Sequence, residues 1–322
     1  MLFVPFVVPI LNDATREKND CCIPAFPCHS LATMRRILAF TALATALHAG
    51  DMSILLPLYS YPNWYAGTSA YLWDDVAAAA STVPITASTV PITAIINVNN
   101  GPGGAGPNSD YQHGLADLRA GGVSMVGYVF TKYGDTALRP LSAIKTDIDL
   151  WETQFSSAGI GGIFLDEVSN DPAKVAYYKG IYDYIQTKPH LTKVLANPGI
   201  NTPEAYISTP TADTTVIFES DTGWPAYVPD AYVANYTRNH FAVLDLGVGT
   251  VGQMQQAVDL AHARNAGYIY VTNDSPAGGA NPFDTLPSYW AQEVAYVASV
   301  PEPGAAALAF LGLGLLGRRR RA

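Results

Sequence analysis

The chain has 322 residues, 49% of them hydrophobic and 14% charged, which is enough apolar material for one large core or two small ones. Its formal net charge is −9, and residues 50–300 alone hold 23 acidic and 10 basic side chains, a net of −13. Such a surface repels nucleic acid, so no nucleic-acid partner is expected; it serves solubility and equally suits a cationic polymer.

The segment starting at Met34 reads MRRILAFTALATALHAG. Arg35 and Arg36 form a basic start, residues 37–47 an apolar stretch, and Leu47-His48-Ala49 a small-residue cleavage site. This pattern predicts a secretory signal peptide over 34–49. Residues 1–33 then read as an extension ahead of a better start at Met34, the alternative being a genuine apolar N-terminal extension. All three cysteines (Cys21, Cys22, Cys28) fall in it, so the exported chain is expected to carry no disulfide, thiol nucleophile or cysteine metal site.

Eight apolar runs follow: ILLPLY (54–59), ITAIINVNN (92–100), SMVGYVFT (124–131), GIFLDEV (162–168), KVLANPG (193–199), TTVIFES (214–220), HFAVLDLG (240–247) and GYIYVTND (267–274). Helical patterns lie between most of them, the clearest at 142–158, 171–188, 251–266 and 286–299. Glycines stand at several helix-to-strand junctions (Gly121-Gly122, Gly159, Gly267), where a left-handed cap is expected. Eight strands alternating with helices predict an α/β fold, a single-domain (β/α)8 barrel of the TIM type over residues 50–299; a doubly wound sheet is the rival. The heptad STVPITA occurs twice, at 81–87 and 88–94, and reads as a local duplication ahead of the second strand rather than a fold repeat.

Several runs end in polar residues, and ring closure would gather those ends at one mouth, the face where such barrels keep their chemistry. GIFLDEV ends in Asp166 and Glu167, and TTVIFES in Glu219. An apolar run without alternation that breaks into charge reads as a strand buried on both faces as it surfaces at its carboxyl end. Neighbours on a strand point to opposite faces, so one of Asp166 and Glu167 should face the axis and the other lean toward a loop. Close carboxylates repel, which raises one pKa and keeps a proton available. The plainer reading of Glu167 is a cap on the following helix or a pair with Lys174. Two acids on strands two apart around the ring point to cleavage of a glycosidic bond, with Asp166 as nucleophile, Glu219 as acid, and Glu167 tuning the pair or binding substrate. Tyr59, Asn97, Asn99, Tyr128, Asn197, Trp224, Asp245 and Asp274 are the candidate substrate binders, within a wider set of strand-end aromatics that adds Tyr61, Trp64, Tyr133 and Tyr270.

Other chemistries find little support. GPGGAG at 101–106 matches a dinucleotide-binding pattern, but Pro102 and Pro107 interrupt it and no helix opens at its last glycine; a loop over the mouth is expected instead. His113, His190, His240 and His262 share no metal-ligand spacing, and no G-x-S-x-G elbow occurs. The chemistry proposed needs neither a metal nor an organic cofactor.

Taken in order, LLPLYSYPN, INVNNGPG, GYVFTKYG, GIFLDEV, ANPG, FES and YVTND resemble the strand ends of the spherulin-4-like family of glycoside hydrolases, over roughly residues 53–298. The resemblance implies a (β/α)8 barrel and endo-acting hydrolysis of α-1,4-linked N-acetylgalactosamine or galactosamine polymers, a fold shared with related polygalactosaminidases. It carries the family's acids onto Asp166, Glu167 and Glu219, and it is the only basis here for retention. Where the family has Asn-Pro before its Gly-Pro-Gly loop, this chain has Asn97-Val98. The alternatives are a non-catalytic glycan-binding surface protein and a structural or stress-coat protein.

The C-terminus, residues 300–322, has Pro301-Glu302-Pro303, an apolar stretch over 304–317 and four arginines at 318–321. It resembles the PEP-CTERM sorting signal. That resemblance implies transient inner-membrane anchoring, cleavage near Pro-Glu-Pro by an exosortase-type enzyme, and release to the cell surface or medium. The expected partner is an amino-sugar exopolysaccharide.

Overall fold

The computed structural model describes residues 52–62, 72–81 and 90–301. The signal segment, Trp64, most of the duplicated heptad and the C-terminal sorting segment lie outside them.

Each of the eight apolar runs contains a strand: β1 (Ser53–Leu58), β2 (Ile92–Ile96), β3 (Ser124–Phe130), β4 (Ile160–Asp166), β5 (Lys193–Ala196), β6 (Thr214–Ser220), β7 (Phe241–Asp245) and β8 (Tyr268–Val271). They close into a parallel barrel in chain order, with β1 pairing both β2 and β8. The strands lack polar alternation because both their faces are covered: Ile54, Leu55, Ile95, Leu165 and Val243 are all fully buried.

The outer layer is α1 (Leu72–Ser81), α2 (Ser109–Ala120), α3 (Leu141–Leu150), α4 (Val175–Gln186), the single turn α5 (Ala205–Ser208), α6 (Val251–Ala263) and α7 (Trp290–Ser299). Between β6 and β7 there is no α-helix; three short 3-10 turns at Trp224–Ala226, Ala231–Asn235 and Arg238–His240 connect them. Gly223, Pro225 and Pro229 break any helical run there. The architecture is thus a (β/α)8 barrel with one helix replaced by turns.

Local signals behave as physics requires, with one exception. Asp171 caps the turn that leads into α4, its side chain accepting the Ala173 N–H, with Pro172 in the first turn. Gly122 and Gly159 take the left-handed conformation at their junctions, at φ +84° and +112°. After α6 that role falls to Asn265, at φ +63°. Gly267 is needed for another reason: a Cβ there would lie 2.8 Å from the Arg238 carbonyl oxygen.

Gly127, midway along β3, is one of the two tightest close approaches, the other being Gly162 against the Lys193 carbonyl. A Cβ at Gly127 would lie 2.3 Å from the fully buried Trp151 ring. The Trp151 indole also donates to the Tyr128 carbonyl at 3.0 Å. Gly127→Ala is therefore expected to cost about 3 kcal/mol through overpacking, read as a lowered urea midpoint with unchanged m-value.

Candidate active site

Asp166 is the last residue of β4 and Glu219 the penultimate residue of β6, so both surface at the carboxyl rim. Asn197, just past β5, stands between them. Its Nδ2 donates to Asp166 Oδ1 at 2.8 Å and also to Glu219 Oε2. The amide orientation follows from charge: the opposite flip would aim the amide oxygen at two acids. Backbone bonds fix the bridge, with Asn197 N on the Leu165 carbonyl at 2.8 Å and Val168 N on the Asn197 carbonyl at 3.0 Å.

The two acids differ in how they are solvated. Asp166 accepts the Tyr128 hydroxyl at 2.8 Å on its second oxygen, besides the Asn197 amide. Burial lifts its pKa above the ordinary carboxylate value, and the Tyr128, Glu167 backbone and Asn197 bonds pull it back. Glu219 has fewer such donors. Burial, and then the negative charge of Asp166, push it up to about 7, with only Asn197 opposing. At neutral pH this arrangement favours an ionised Asp166 beside a Glu219 that holds a proton.

Glu167 leaves the strand in the left-handed region, at φ +51°. As the strand alternation requires, it leans toward a neighbouring loop. Lys132 Nζ lies 3.0 Å from its Oε1, while Oε2 is buried without a hydrogen-bond partner. The pairing with Lys174 is not formed; Lys174 donates instead to the Gly134 carbonyl at 2.8 Å. Lys132 and Tyr133 share the left-handed conformation, at φ +51° and +55°, and the Tyr133 N–H donates to the Glu167 carbonyl at 2.6 Å. The buried Thr131 hydroxyl reaches the Asp166 and Glu167 carbonyls at 3.0 and 2.8 Å, clamping the same bend. The result is a Tyr133 side chain that is 60% exposed at the lip of the cleft.

Asp166, Glu167, Asn197 and Glu219 line one open cleft with a volume of about 370 Å³. Gly199, at φ +67°, closes its floor: a Cβ there would lie 3.4 Å from Glu219 Cβ, and its carbonyl accepts the Glu219 N–H at 3.0 Å. Tyr59 packs edge-on to Tyr128 at 5.6 Å, and its hydroxyl pKa is raised first by burial and then by the charges of Asp166, Tyr128 and Glu219.

The remaining candidates do not join this group. Asn97 turns back into its own loop and accepts the Gly101 N–H at 3.0 Å. Asn99 is exposed, and the glycine-rich loop lies away from the acids: Gly101 faces Asp147, and Gly106 faces Gln154 beyond the end of α3. Asp274 braces the loop after β8, accepting Asn273 Nδ2 at 3.1 Å and the Thr285 hydroxyl at 2.5 Å. Trp224 is only 1% exposed, donates to the Ala257 carbonyl and is stacked on Tyr227, so it offers no face to a sugar. Tyr270 is fully buried, and Tyr61 is held by Asp110 and Asn108. Asp245 pairs in register with Ser220, the neighbour of Glu219, so it points out of the barrel toward α6 rather than into the mouth. Among the described residues no group of three or more His, Cys, Asp or Glu could hold a metal ion.

Comparison with known proteins supports the barrel and assigns a family. The model of spherulation-specific family 4 matches residues 53–297. This chain belongs to that family. Spherulin-4 of Physarum polycephalum is 33% identical over 263 residues, covering 79% of this chain and 72% of its own. The crystal structure of Aspergillus clavatus Sph3 in complex with N-acetylgalactosamine superposes with a TM-score of 0.62 at 25% identity, covering 79% of this chain and 99% of that one. Residues 299–321 match the PEP-CTERM protein-sorting motif. No helix among the described residues is long and apolar enough to cross a membrane, and the apolar stretch 304–317 lies outside them.

Proposed function

We propose that this protein is an exported glycoside hydrolase that cleaves internal α-1,4 bonds of an N-acetylgalactosamine or galactosamine exopolysaccharide. The observation that carries the reading is the Asn197 bridge between Asp166 and Glu219 at the carboxyl rim. Through that one nitrogen the nearest carboxylate oxygens lie within roughly 5 Å of each other, a spacing that supports a retaining pair over an inverting one. Asp166 attacks the anomeric carbon, and Glu219 protonates the departing oxygen and then activates water. Asn197 and Tyr128 hold the nucleophile, Tyr133 offers ring surface to the sugars at the lip, and Glu167 sits within reach of a substrate hydroxyl or amine. The N-acetylgalactosamine bound by Sph3 supports the choice of sugar.

The sorting motif supports export to the cell envelope. In this reading residues 34–49 direct secretion, residues 304–317 anchor the chain briefly in the inner membrane, and an exosortase-type enzyme releases it near Pro301-Glu302-Pro303.

The test is mass spectrometry of products from partially deacetylated α-1,4-polygalactosamine. Internal oligomers of mixed length, with newly formed reducing ends that keep the α configuration, are expected. Binding of the polymer without any new reducing end would leave a glycan-binding protein and remove the enzyme.

A further inference from the structure

A second cleft opens between the ends of β6 and β7 and the helix α6, with a volume of about 190 Å³. Asp221, Thr222, Asp245, Gln253 and Gln256 supply its polar groups, and Leu246 and Val248 part of its apolar wall. It shares no lining residue with the cleft of the acid pair.

The notable group is Asp245. It is 6% exposed, lines this cleft, and meets no hydrogen-bond donor or cation among the described residues. A carboxylate with so little exposure is stabilised by a donor or a positive charge, and the described residues supply neither. Burial alone pushes it up to about 7. The surrounding titratable groups are already engaged. Asp221 accepts the Ser275 hydroxyl at 2.9 Å. Arg264 stacks on Trp224 and donates to the Trp224 and Pro225 carbonyls at 2.6 and 2.8 Å. Tyr289 donates to the Val248 carbonyl at 2.8 Å, and Asp274 is held by Asn273 and Thr285.

Among the described residues, Asp245 lines this cleft. Two carboxylates with two amides and a hydroxyl, set against an apolar wall, match a protonated amine carried on a hydroxylated ring. A bare divalent ion would want six or more oxygens in a compact shell. We propose that this outer cleft is a second saccharide site, which binds an amino-sugar residue through its ammonium group with Asp245 as the counter-charge. It rests on the proposed function only for the choice of galactosamine; the charge argument stands without hydrolysis.

The test is amide NMR of the full chain titrated with D-galactosamine, D-galactose and N-acetylgalactosamine. Galactosamine is expected to shift the Gly247 and Gln256 amides, the other two sugars are not, and Asp245→Asn is expected to abolish the shifts while its remaining spectrum reports an intact fold. In the wild type the affinity should be more than tenfold higher at pH 7.5 than at pH 5, where Asp245 is protonated. Equal shifts with galactose, shifts that survive Asp245→Asn, affinity independent of pH, or no shift at Gly247 and Gln256 would each overturn the site. Gly199 reports the acid-pair cleft separately. Shifts there alone leave the proposed enzyme standing without the outer site, and shifts at Gly247 and Gln256 alone do the reverse.

Discussion

Asp166→Asn and Glu219→Gln are each expected to lower kcat on a galactosamine oligomer by on the order of 10²–10⁴-fold while circular dichroism and melting temperature stay near wild type. Both carboxylates end strands whose apolar residues are buried without them, so the barrel does not need their charge. The two variants should separate on a substrate whose leaving group departs without a proton, such as a nitrophenyl glycoside. Glu219→Gln should then regain most of its bond-breaking step and Asp166→Asn should not, because only Glu219 is assigned the leaving-group proton. The pH profile follows from the same assignment. Glu219 is raised from its ordinary value of 4.5 to about 7, so its protonated form, and with it kcat/KM, should fall roughly tenfold per pH unit above about 7. Asp166 must be ionised, so the acid limb belongs to it; as the two acids are coupled, both limbs describe the pair. A profile rising steadily above pH 7, or equal rescue of both variants, would reverse the assignment.

Much of this was legible in the sequence because barrel strands are buried on both faces and break into polar residues at one end. GIFLDEV and TTVIFES carry that signature, and closure of the ring does the rest, delivering Asp166 and Glu219 to one cleft. The direction of individual side chains was not legible, because it depends on register. β6 shifts register against β7 between Val216 and Phe218, and beyond that shift Ser220 rather than Glu219 stands opposite Asp245. A list of strand-end residues cannot tell such neighbours apart, so Asp245 looked like a binder at the mouth although it faces α6. The burial of Trp224 is not legible for a related reason. Its turn replaces a helix, and the indole packs inward against Phe218 and Tyr227. The Lys132–Glu167 pair rests on three non-glycine residues with positive φ, a conformation that residue type alone does not announce. The Asn-Pro-Gly turn was visible in KVLANPG, but that Asn197 would span two acids is a property of the closed ring.

Asp245→Asn is expected to make the protein more stable, by an amount that depends on pH. The carboxyl is raised from 3.8 to about 7, so the folded state prefers it protonated. Its contribution to stability is then fully present below about pH 4 and is lost as pH rises through 7, because the folded protein must ionise a buried group that the unfolded chain ionises freely. Over a gap of about three units the wild type forfeits roughly 4 kcal/mol by pH 8, an upper estimate, and the asparagine variant does not. Urea denaturation should show the two proteins alike at pH 4 and the variant ahead at pH 8. Glu219 titrates in the same window, so the variant should keep the part of the wild-type slope that comes from Glu219. Identical slopes in the two proteins would mean that Asp245 is already paired or hydrated when folded. The expected pairing of gained stability with lost galactosamine binding is what distinguishes a group kept for a ligand from one kept for the fold, since replacing a structural carboxylate leaves its partners unsatisfied and costs stability. Saturating galactosamine at pH 7.5 should raise the urea midpoint of the wild type and leave that of Asp245→Asn where it was, because a ligand stabilises only the protein whose folded state it binds.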